Sequence, residues 1–278
     1  MEKSKKTGLY VLGAFIVLLL IFSFTDLSIS QTLFNRENKF AKFFGYWGGM
    51  PALYVGMFSS AALIWTRPTD KKWKSVLNIV VFGAFLYYYC NLGAISPIAG
   101  MKFADETKTV LGWVTTVIYI VLFLGISYLA YRSNPEGLRK AAVIGLLLAL
   151  ATRICFEFLK TIWGRPRFRA MQDPVNEFKA WYQPQGIVSD DAFKSFPSGH
   201  SANAAGSIWL LTLPGFVNKC KGKEGILLTI SLLWTGCTML ARIIVGAHFA
   251  SDVLFGAFMT MGLFQLITYA VNRYYEKR

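Results

Sequence analysis

The sequence predicts an all-α fold, a polytopic membrane helical bundle of about eight spanning helices, on three observations. Of the 278 residues, 54% are hydrophobic, 16% aromatic and only 16% charged, which is too apolar for a soluble domain of this length. Apolar runs close to the ~20 residues that cross a bilayer recur at 8–25, 47–66, 75–95, 109–131, 140–159, 199–217, 225–245 and 249–271. With the N-terminus placed in the cytoplasm, the segments on that side (1–7, 67–74, 132–140, 218–224 and 272–278) hold 16 of the 29 Lys and Arg and only five acids. Basic short loops on one side are the positive-inside pattern and orient the chain.

The same distribution explains the net charge of +14. Most of it sits in short loops beside the bilayer, where anionic headgroups attract it, so no nucleic-acid partner is expected. Lys3, Lys5 and Lys6 before the first apolar run, with Ser28-Ile29-Ser30 after it, have the outline of a signal peptide; the run is read as a retained anchor. Between the first two runs, 28–44 mixes Ile29, Leu33, Phe34, Phe40 and Phe44 with Arg36, Glu37, Lys39 and Lys42. That mixture suits a helix lying in the membrane interface and equally a polar connector. Gly48, Gly49, Ser59, Ser60, Ala61 and Ala62 on the second span allow close helix packing.

On the fifth span, Arg153 and Glu157 are four residues apart and share a helix face. They are read as a structural ion pair within the membrane rather than a proton path. Cys90, Cys155, Cys220 and Cys237 lack metal-binding spacing and read as small buried hydrophobes. The connector 160–197 is long and carries Trp181, Tyr182, Phe193 and Phe196 among polar residues; loops of that length are usually functional, and this one is expected to cap a substrate path.

In the predicted topology the ends of spans five and seven and the starts of spans six and eight share one membrane face, so three polar segments converge there. In the first, Lys160 leaves a span, Gly164 frees the backbone, and Pro166 pushes Arg165 out of the helical region ahead of Arg167. Clustered cations at that level suit anion binding or headgroup anchoring. The second, Pro197-Ser198-Gly199-His200, opens a helix whose first N–H groups and dipole favour phosphate. Ser198 adds a hydroxyl, Gly199 a close backbone approach, and His200 a proton donor or acceptor; the tetrapeptide is also ordinary capping. In the third, Arg242 precedes His248 by six residues, and Asp252 follows His248 by four. Asp252 can therefore reach the imidazole, fix its tautomer and leave the other nitrogen as a nucleophile. Gly246 is expected to break the helix so that Arg242 turns back toward the site.

Taken together, Lys160-x6-Arg167, Pro197-Ser198-Gly199-His200 and Arg242-x5-His248-x3-Asp252 resemble the signature of the type 2 phosphatidic-acid phosphatase superfamily. Phe168 stands where that pattern has Pro, and Ala241 where it usually has Ser; neither change removes a charge or a proton-transfer group. The resemblance implies a six-helix phosphatase core within 75–278 and an N-terminal pair of helices, 1–74, as an addition. It implies that His248 attacks phosphorus, that His200 protonates the leaving alkoxide and activates water, and that Asp252 orients His248. Lys160, Arg167, Arg242, Ser198 and Gly199 would hold the phosphoryl group, without metal or cofactor. Arg165 and Arg169 are read as solvated extra cations more readily than as contacts to a second phosphate. The implied activity is hydrolysis of a lipid phosphate (polyprenyl diphosphate, phosphatidic acid or phosphatidylglycerol phosphate); the charge topology puts it at the extracytoplasmic face, and a bacterial plasma membrane is the expected setting, with a lumenal face in an endomembrane as the other. Phosphoryl transfer to another lipid and a catalytically silent binding or transport role are the other readings.

Overall fold

The computed structural model describes residues 2–67 and 70–277, with side chains from residue 9 onward. The basic leader Lys3, Lys5 and Lys6, part of the 67–74 connector and Arg278 thus lie outside the described side chains or residues. The chain forms helices α1 (Glu2–Leu33), α2 (Lys39–Trp47), α3 (Met50–Trp65), α4 (Lys72–Ile98), α5 (Asp105–Ser133) and α6 (Pro135–Trp163). They are followed by the short α7 (Pro174–Glu177), α8 (Gly199–Ala205), α9 (Glu224–Ile244) and α10 (Ala250–Glu276). Among the described residues there is no strand.

Seven stretches among the described residues are helical, long and apolar enough to cross a membrane, α2 and α3 together forming one of them. The predicted span over 199–217 differs. Here α8 is only seven residues long and passes into a 3-10 helix over Gly206–Gly215, which contains Pro214. A 3-10 helix rises ~2 Å per residue against ~1.5 Å for an α-helix, so the combined segment reaches about 30 Å, the thickness of the hydrocarbon layer. Its looser backbone is tied to α6, with Trp209 Nε1 donating to the Ala141 carbonyl (2.8 Å) and Asn134 Nδ2 to the Gly215 carbonyl (3.2 Å).

The centre of the bundle is α3. Eleven of its sixteen residues are buried, so it faces protein on all sides, between α4, α5 and α6. The small residues singled out on this helix lie in those contacts: Ser59, Ser60, Ala61 and Ala62 are all fully buried. The outward faces of α1 and α5, by contrast, expose Leu9, Val17, Leu20, Val117, Val121 and Leu129, as membrane-facing helices do.

The segment 28–44 divides in two. Residues 28–33 extend α1, and Lys39–Trp47 form α2, begun by the Asn38 side chain accepting from Ala41 N–H. Rather than lying apart on an interface, α2 packs on α9 and closes one side of the motif end of the bundle. On the other side, the 160–197 connector folds back on itself. It is held to its own first residues by Val188 N–H on the Thr161 carbonyl (2.9 Å), Gln185 N–H on Trp163 (2.7 Å) and Ser195 N–H on Arg165 (2.9 Å).

Candidate active site

Three turns bring the motif residues together. Helix α6 ends at Gly164, whose left-handed backbone (φ 66°) suits glycine alone without strain; Arg165, Pro166 and Arg167 then cross the end of the bundle. Helix α9 ends in the same manner at Gly246 (φ 63°). Beyond the expected break, Ala247 N–H and His248 N–H both turn back to the Arg242 carbonyl, at 3.1 and 3.3 Å. The third turn seats α8 on α10: Ser198 N–H donates to the Asp252 carbonyl at 3.0 Å.

Ser198 is consumed by this architecture. Its Oγ accepts from Ser201 N–H (3.3 Å) and Ser201 Oγ (3.0 Å), so it caps α8, and its N–H faces α10. Gly199 packs closely on α6: a Cβ there would lie 3.0 Å from Phe156 Cε2 and 3.1 Å from Lys160 Nζ.

The cations divide between two cavities that share Gly45 and Tyr46 of α2 as a wall. An outward cavity of about 580 Å³ is lined by Arg167 and Arg242, with Arg36 and Arg169 at its sides. An inward cavity of about 260 Å³ is lined by Lys160, Gly199 and His200. Arg167 is anchored by Asp191, Nη2 donating to Oδ1 at 2.7 Å. The Nε atoms of Arg167 and Arg242 are nevertheless buried without a hydrogen-bond partner. Among the described residues Arg167 and Arg242 have one carboxylate between them, Asp191, so the cavity they line carries an excess of positive charge that suits an anion.

His248 is buried, and its Nδ1 lies 2.6 Å from the Ser195 carbonyl. A carbonyl only accepts, so Nδ1 carries the proton and Nε2 keeps its lone pair. This is the tautomer the sequence calls for, reached through a different partner: Asp252 Oδ2 is 4.0 Å from Nδ1. Asp252 acts one step away, its Oδ2 accepting from Ser195 Oγ (2.6 Å) and Phe249 N–H (2.8 Å). Burial, followed by the charges of Arg167, Arg242 and Lys160, holds the His248 imidazole well below its ordinary range, so the ring stays neutral. The same reasoning assigns a proton to His200 Nε2, which lies 3.2 Å from the Gly45 carbonyl.

Arg165 corrects the sequence reading. It is fully buried, neither solvated nor turned to a phosphate site. Its Nη1 bonds Asp252 Oδ1 and Ser251 Oγ, its Nη2 bonds Asp26 Oδ2 at 2.9 Å, and its Nε bonds the Lys179 carbonyl at 2.8 Å. The Phe249 ring packs against the guanidinium, with its centroid 4.2 Å from Cζ. Asp26 in turn accepts from Ser251 N–H (2.9 Å) and Ser251 Oγ. Sequence reasoning missed Asp26 and Ser195. An acid at the end of an apolar run is a signal in itself, and it could have flagged Asp26. Ser195 acts through a backbone carbonyl, which every residue has.

This geometry coincides with a family match. Residues 142–276 match the model of the PAP2 superfamily. The PAP2 match takes in α6 from Ala142 onward, the 160–197 connector, α8, α9 and α10, and therefore every motif residue named above. The chain is also similar to the lipid A 1-phosphatase of Rhizobium etli (strain CFN 42), at 25% identity over 207 residues, covering 71% of this chain and 84% of that protein. No solved structure matches the chain. Asp26, which bonds Arg165 and Ser251, and Gly45, whose carbonyl meets His200, come from helices outside the matched segment.

Proposed function

We propose that this protein is an integral membrane lipid phosphatase that removes phosphate from a lipid phosphomonoester or diphosphate. The observation that carries the proposal is the cavity lined by Arg167 and Arg242, which have one carboxylate between them among the described residues and whose charges act on a neutral His248. The PAP2 domain and the lipid phosphatase relative support the same reaction class.

In this mechanism the Nε2 lone pair of His248 forms the N–P bond as the P–O bond to the lipid breaks. His200 gives the departing alkoxide a proton. Water, deprotonated by His200, then cleaves the N–P bond and releases phosphate. A phosphomonoester carries nearly two negative charges at neutral pH, which Lys160, Arg167 and Arg242 offset as more charge develops in transfer. Asp252 holds Ser195, and Ser195 holds the nucleophile. No step requires a metal ion. The basic loops opposite the motif end favour an extracytoplasmic site.

The test is phosphate release from lipid mono- and diphosphates by detergent-purified protein in excess chelator. Release is expected to persist in chelator and to vanish in His248→Ala. A folded preparation that releases no phosphate from any lipid overturns the reading. Movement of labelled phosphate from one lipid to another, without free phosphate, would replace hydrolysis with transfer.

A further inference from the structure

The ion pair on α6 stands at a depth where charge is costly. Arg153 and Glu157 lie ten and six residues before the end of the helix at Trp163, about 15 and 9 Å down its axis at 1.5 Å per residue. They pair at 3.2 Å, yet their side chains remain 37% and 46% exposed. Intramembrane charges persist where they face a polar interior or a wet cavity, and both residues line the inward cavity. With Lys160 they form an i, i+4, i+7 stripe along one face of α6. Asn203, one turn beyond His200 on α8, lines the same cavity. Leu53 and Leu92 give it an apolar wall.

The position of this cavity relative to the chemistry is informative. His200 lines the inward cavity, whereas Arg167 and Arg242 line the outward one. If His200 protonates the departing oxygen, the bond being broken points inward, and the group left on the lipid occupies the inward cavity. That group would meet a carboxylate, a guanidinium and an amide beside the apolar wall. A hydroxyl or amide can donate to Glu157 and exchange hydrogen bonds with Asn203. A prenyl chain can do neither, and would press methylenes onto a half-exposed ion pair, removing its remaining solvation.

We propose that the inward cavity is a leaving-group subsite. It selects lipids whose phosphate is borne by a hydroxyl- or amide-bearing linker, of glycerol or sugar type, over lipids whose phosphate sits on a hydrocarbon alcohol. The proposal rests on the phosphatase reading of the same site.

The experiment compares kcat/KM for phosphate release from four substrates by full-length protein in detergent. Lysophosphatidic acid has a glycerol hydroxyl, phosphatidic acid has the same glycerol fully acylated, an acylated glucosamine 1-phosphate has a sugar linker, and farnesyl phosphate has none. Wild type is expected to favour at least one hydroxyl-bearing substrate over farnesyl phosphate by tenfold or more, and comparison of the lysophosphatidic acid and glucosamine arms tells glycerol from sugar. Asn203→Ala is expected to lower that ratio by roughly fivefold to tenfold, the worth of one hydrogen bond, and Glu157→Gln, which keeps an acceptor oxygen but loses its charge, by roughly threefold. Asn203→Ala serves as the second variant should Glu157→Gln, which strands Arg153, fail to fold. A wild type with no preference, or variants with an unchanged ratio, would overturn the subsite while leaving the phosphatase standing. Release from none of the four by folded wild type would overturn the subsite, and the phosphatase reading with it if farnesyl diphosphate and the other lipid mono- and diphosphates also release none.

Discussion

Removing the Asp26 carboxylate is the most direct test of how the nucleophile's supports are built. Asp26 accepts three hydrogen bonds, from Arg165 Nη2, Ser251 N–H and Ser251 Oγ, and both Asp26 and Arg165 are withdrawn from solvent. In Asp26→Ala the guanidinium keeps Asp252, Ser251 Oγ and the Lys179 carbonyl but loses one of its two counter-charges, and the Ser251 N–H loses its acceptor. Removing one partner of a buried ion pair costs about 3–5 kcal/mol. A chain of this size loses roughly 2–4 °C per kcal/mol, so the melting temperature in detergent should fall by about 6–20 °C. Asp26→Asn keeps an acceptor oxygen and should recover about half of the loss. Arg165 also bonds Asp252, so kcat for phosphate release should drop further than KM changes. An Asp26→Ala protein that melts within 2 °C of wild type and turns over normally would show that Arg165 needs only Asp252.

Other perturbations separate the remaining parts. The His248 ring is held below its ordinary range chiefly by burial, so it is still neutral where a free imidazole, with a pKa of about 6.5, is half charged. The enzyme-derived acid limb of kcat/KM should therefore lie below pH 6.5 once the substrate's own ionisation near 6 is divided out, and a limb at or above 6.5 contradicts the assignment. Arg242→Ala should lower kcat/KM by about a hundredfold or more, as loss of a transition-state donor does. Arg242→Lys should restore little of it, because an ammonium lacks the guanidinium fork; full activity in the Lys variant would show that only charge counts. Ser195→Ala keeps the carbonyl that fixes His248 but removes a hydrogen bond to Asp252, and should cost about tenfold in kcat. Asp252→Ala should cost far more, and equal losses would mean that Asp252 acts only through the Ser195 hydroxyl. Gly246→Ala forces a side chain into a left-handed backbone, where its Cβ would meet the Phe34 ring at 2.7 Å. A loss of at least ~1–2 kcal/mol, read as a lower melting temperature, is the expected result.

The legible part of this fold is the part written in composition and spacing. Apolar runs gave the spans, small residues on α3 gave its packing, and Gly164 and Gly246 gave the turns. The 199–217 run was apolar enough to suggest an ordinary span, but hydropathy is blind to helix type, and Pro214 sits in the segment that became a 3-10 helix. Arg165 and Arg167 are two residues apart in one motif, and nothing local distinguishes them. Their roles diverge because Asp26, 139 positions away, reaches the first and not the second. His248 shows the same limit, since its partner is the main chain of Ser195, to which residue identity gives no clue.

The distribution of counter-charges sorts the motif's cations by role. Arg165 lies between Asp26 and Asp252, the second of which also accepts from Ser195 Oγ and Phe249 N–H. It is matched without a ligand, and its contribution is to hold Asp252 in place behind the histidine. Arg167 has a single carboxylate partner, Asp191, which is itself 73% exposed. Arg242 has no salt-bridge partner among the described residues, and both arginines keep a buried Nε unmatched. Keeping such cations buried is unfavourable unless an anion completes them, so under the proposed function the imbalance marks the phosphate contacts and the balance the scaffold. Helix α1 enters that scaffold through Asp26, and α2 enters through the Gly45 carbonyl on His200. The first two spans are therefore tied into the PAP2-matching segment: α2 walls both cavities, and Asp26 is one of the two carboxylates paired with Arg165.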